Sequence, residues 1–74
     1  MNQYLVILSN GQGHTTKVIC QADEAFAIDC VREGVELIIT SHNMPCGVES
    51  MQPIQTADIP ADAQDWGRVE WTCR

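Results

Sequence analysis

Basic side chains are scarce in this sequence: four lysines and arginines stand against ten aspartates and glutamates, a formal net charge of -6. A field of that sign repels phosphate backbones and anionic headgroups, so direct nucleic-acid binding and attachment to acidic membranes are both disfavoured. Long hydrophobic segments are missing as well. The apolar run Tyr4 to Leu8 is far too short for a signal-peptide core or a membrane span, and Met1-Asn2-Gln3 carries no basic residue. The chain therefore reads as cytoplasmic, where Cys20, Cys30, Cys46 and Cys73 are expected to be thiols. No repeat, linker or low-complexity tract divides it, and residues 1–74 read as one domain.

Catalytic signatures are equally thin. Gly11-x-Gly13 has neither the third glycine nor the following helix of a dinucleotide fingerprint, and a hairpin loop accounts for it better. His42 and Cys46 stand four residues apart, but there is no Cys-x-x-Cys or His-x3-His pair to complete a zinc site. Cys46 has only His42 nearby to activate it, and Glu49 would raise a thiol pKa rather than lower it. Ser9, Ser41 and Ser50 lack a nucleophile elbow. Ten acids in so short a chain produce near pairs by chance, and none has an apolar pocket signal beside it. These readings predict no catalytic residue, no metal and no cofactor.

What is present is a globular pattern, 45% hydrophobic, on a scale whose single core supplies only about 3–5 kcal/mol. Tyr4 to Ser9 and Thr15 to Ala22 alternate as strands, and Asn10-Gly11-Gln12-Gly13 supplies the turn of a hairpin. Tyr4, Val6 and Leu8 share one face, as do Val18, Cys20 and Ala22. Asp23 suits an N-cap, and Phe26, Ala27, Cys30 and Val31 form an apolar stripe for a helix from Glu24 to Glu33 that Gly34 would end. Val35 to Ser41 then reads as a strand, His42 to Ser50 as a loop, and Met51 to Ala57 as a weak edge strand because of Pro53. Asp58 to Asp65 reads as an acidic loop. Gly67 to Cys73 alternates as a last strand, with Val69, Trp71 and Cys73 inward. The expected fold is α+β: a small twisted, mainly antiparallel sheet in β-β-α-β-β order, with one helix on one face.

The opening strand pair (YLVILS, KVICQA) running into the helix ADEAFAIDCVREG resembles small phage-encoded proteins, among them anti-CRISPR inhibitors of type I systems. The ending Trp71-Thr72-Cys73-Arg74 is similar to that of one type I-F inhibitor, a strand with a tryptophan and a penultimate cysteine. The likeness covers residues 4–34 and 68–74 and leaves out the stretch from His42 to Asp65. It implies stoichiometric inhibition in the host bacterial cytoplasm: binding to a Cas surveillance complex that blocks target-DNA engagement or nuclease recruitment. No individual residue role carries over from it.

Charge alone points to a basic protein surface as the partner. Asp58, Asp62 and Asp65 share a loop beside Trp66, and Glu33 and Glu36 are expected to flank the turn after the helix. Acids so spaced imitate a phosphate backbone, and tryptophan is a favoured interface anchor. The plainer reading makes the acids a solvated loop and Trp66 a cover for one end of the core. A second function class is a small structural or regulatory module that pairs with itself, as a homodimer, through an open sheet edge.

Overall fold

Period-two alternation organises the first third of the chain. The computed structural model describes residues 1–69. Strand β1 (Asn2–Ser9) pairs antiparallel with β2 (Thr15–Ala22), in unbroken register from Asn2 opposite Ala22 to Ser9 opposite Thr15. Gly11 and Gly13 take positive φ values of 77° and 87° in the connecting loop. The Asn10 carboxamide accepts from the Gln12 and His14 N–H groups at 2.8 and 3.3 Å. Those are the donors a phosphate would need, so the loop closes on itself as a hairpin connection.

The helix starts later and runs further than expected. Asp23 caps a turn instead of a helix: its carboxylate accepts from Ala25 N–H at 2.9 Å and its carbonyl from Phe26 N–H at 3.0 Å. Helix α1 then runs Ile28–Ser41, absorbing both Gly34 and the segment read as a third strand. Gly34 inside a helix costs about 1 kcal/mol relative to alanine. Against that, Val31, Val35 and Ile39 follow at four-residue steps and are buried to 5% exposure or less. Each fully buried aliphatic side chain contributes roughly 1.5–3 kcal/mol, so the apolar stripe outweighs the glycine. Leu37 decides between the two periods. A strand would bury it with Val35 and Ile39, whereas it is 46% exposed.

Asn43, not glycine, terminates α1. It adopts φ 53°, its N–H donates to the Thr40 carbonyl at 3.1 Å, and Met44 N–H donates to the Ile39 carbonyl at 3.0 Å. This is a Schellman closure, and Met44 packs against the core that contains Ile39.

Beyond Pro45 the chain extends as β3 (Gly47–Pro53), four residues earlier than the weak strand read from Met51. It pairs antiparallel with β1, with a bulge at Glu49 where the register shifts between Ile7 and Leu8. The Ile54 N–H bonded to the Gln3 carbonyl at 3.0 Å fixes the phase of this ladder. Alternation then turns the backbone groups of Met51 and Pro53 outward, and proline sits where its missing N–H is not needed. Last comes β4 (Gln64–Arg68), which lies parallel to β2 and carries a bulge at Trp66. The expected strand Gly67 to Cys73 therefore starts three residues too late. Its inward Val69 is buried at 3%, while the assignments of Glu70, Trp71, Thr72 and Cys73 lie outside the described residues.

The sheet order is β3-β1-β2-β4, a four-stranded mixed sheet with two antiparallel pairings and one parallel, and one helix. The α+β expectation holds. Against α1 lie Tyr4, Val6, Leu8, Val18, Cys20 and Ala22, the face that alternation selects. The opposite face carries Leu5 and Ile19, which are nevertheless only 9% and 4% exposed. Their cover follows from the topology. Since β3 and β4 occupy opposite edges, residues 54–63 must cross the sheet between them, and α1 already fills the other side. This strap is pinned near the start of β1 by Gln3 Nε2 donating to Thr56 Oγ1 at 2.7 Å. Near the start of β2 it is pinned by Lys17 Nζ at 3.3 Å from Asp62. A 3-10 turn at Thr56–Asp58 lies between, and Ile54, Ile59 and Pro60 are half-buried along it.

Candidate functional site

The exposed face of a two-layer helix follows from its sequence: once Val31, Val35 and Ile39 face the sheet, the i, i+4 row Asp29–Glu33–Leu37 faces away. Glu33 and Glu36 are accordingly exposed on the interior of α1 and do not flank a turn after it, because the helix continues to Ser41. Arg32 Nε reaches Glu36 Oε1 at 3.3 Å, one turn away on the helix. Asp29 and Glu33 are like charges at helical spacing, a pair that costs the helix a few tenths of a kcal/mol. Asp29 falls on the polar side of the helix expected from the sequence, as it does in α1, but is not among the candidate contacts read there.

The acidic loop separates into parts with different employment. Asp58 is exposed at the end of the 3-10 turn. Asp62 is the strap's partner for Lys17. Asp65 lies in β4, and its carboxylate accepts from the Gly67 N–H at 2.8 Å, stabilising the bulge where Gly67 takes φ 71°. Trp66, also in β4, is half-buried and packs on the central core, which agrees with the plainer of its two readings. The strap lies on one face of the sheet and α1 on the other. Glu33 and Glu36 therefore look out from the opposite side of the molecule to Asp58 and Asp62, and the six residues do not converge on one surface.

The thiols divide likewise. Cys20 is wholly buried in the core, and desolvation pushes its pKa up to about 11, so it is inert as a nucleophile at neutral pH. Cys46 is a half-buried free thiol. Cys30, in the first turn of α1, is disulfide-bonded, so the expectation of four thiols does not hold for it. Among the described residues no group of three or more His, Cys, Asp or Glu side chains could hold a metal ion. The His42 ring nitrogen Nδ1 lies 2.9 Å from the Ile38 carbonyl, where it serves the helix end. No helix among the described residues is long and apolar enough to cross a membrane.

One open cavity of roughly 660 Å³ is formed where the start of β1 meets the strap, with Asn2, Gln3, Gln52, Gln55, Thr56 and Asp58 in its lining. Small-molecule sites are mostly apolar with a few convergent polar groups. This one mixes those polar groups with Met1, Tyr4, Leu5, Pro53 and Ile54 and brings no acid–base pair together. Comparison with protein-family models, with curated proteins and with solved structures finds no match.

Proposed function

We propose that this chain is a non-catalytic inhibitor that occupies a basic, nucleic-acid-binding surface of a protein complex, and that a type I CRISPR-Cas surveillance complex is the target to test. The observation that supports this reading is the placement of charge. Every acidic side chain among residues 1–69 is exposed, and no charged group is buried. Of the three basic side chains there, Lys17 and Arg32 are already paired with Asp62 and Glu36. Little of the negative field is cancelled by a competing positive patch, which favours steering towards a cationic groove. The contact we propose is the outer face of α1, through Asp29 and Glu33 with Glu36, paired to Arg32, beside them, because the fold itself uses Asp62 and Asp65 to hold the strap and the bulge.

The test is competition. Purified type I-F surveillance complex is mixed with labelled duplex target DNA, and the chain is added in increasing ratio. DNA capture should fall to background near one equivalent, and the chain's own binding to the complex, measured without DNA, should weaken as salt is raised, since exposed charge pairs are screened beyond about 8–10 Å at 0.1–0.15 M. Undiminished DNA binding at large excess refutes the target. The triple variant Asp29→Lys, Glu33→Lys, Glu36→Lys should lose inhibition. If Asp58→Lys with Asp62→Lys abolishes it instead, the contact is on the strap and the assigned face is wrong.

A further inference from the structure

We draw no further inference here: the strongest candidate, the open cavity between the start of β1 and the strap, has a mixed lining of amide side chains, one carboxylate and apolar residues, and nothing in the structure shows what covers it.

Discussion

The sharpest physical test concerns the sheet face turned away from α1. In a two-layer α+β fold that face is ordinarily solvated, and Ile19 would then be an exposed strand residue whose trimming changes stability by less than about 0.5 kcal/mol. Here the strap covers it, and its exposure is 4%. Ile19→Val removes one buried methylene, for which burial accounts for about 0.8 kcal/mol and incomplete relaxation of the surroundings adds to that. The expected loss is about 1 kcal/mol. In a domain of this size that corresponds to a fall in Tm of roughly 4–8 °C. Urea titration followed by tryptophan fluorescence should show the midpoint falling with an unchanged slope, the signature of altered stability without altered compactness. Thr16→Ala, at an exposed β2 position, serves as the control. An Ile19→Val loss indistinguishable from that control would mean that residues 54–63 do not seal this face, and the argument from strand order would fail.

Other consequences are equally open to measurement. Asn43→Ala places a Cβ without a compensating carboxamide at φ 53° and should cost about 1 kcal/mol in thermal or urea unfolding, whereas Asn43→Gly should be neutral or stabilising. Cys20 holds its proton in the folded state to about 11, above its unfolded value of 9.0. Its contribution is thus complete below pH 9 and declines by about 1.4 kcal/mol per pH unit between the two values, which denaturation in alkaline buffers would reveal. Timed alkylation with mass spectrometry at neutral pH should label Cys46 in the native protein and Cys20 only on unfolding. In sedimentation the chain should run as a monomer. On β3, Pro53 supplies no outward N–H and Glu49 sits in a bulge, two devices that blunt an edge against pairing. A concentration-dependent dimer would favour the self-associating module over the inhibitor.

The parts of the fold that were legible in the sequence are those governed by one unambiguous period. In the hairpin, each alternate residue from Tyr4 to Leu8 and from Val18 to Ala22 is where alternation puts it. The run Val35-Glu36-Leu37-Ile38-Ile39 fits two periods at once, and Gly34 before it imitates a helix stop. The tie is broken only by the sheet, which needs Val35 and Ile39 on one side and has no use for Leu37. Asn43 is the real terminator, but asparagine is as common in open loops as in left-handed caps. The strap carries no local signature either. Its role follows from β3 and β4 ending on opposite edges, a fact of pairing that no window of sequence contains. For the same reason the acids of the candidate site could be counted but not placed. Glu33 and Asp62 belong to opposite sides of the molecule only because a helix and a strap enclose the sheet between them.

The parallel placement of β4 beside β2 also sets an order of assembly. The hairpin, α1 and β3 draw their pairings from residues 1–53 alone, whereas β4 pairs with β2 only after the strap has crossed the sheet. The second apolar face stays bare until the strap arrives and β4 docks, with Ile19 meeting Asp65 across most of the chain's length. Non-local pairings of this kind slow folding because loop closure precedes its reward. Until that step a folding chain presents Leu5 and Ile19 to its neighbours, and its vulnerability to aggregation is a matter of timing more than of final stability.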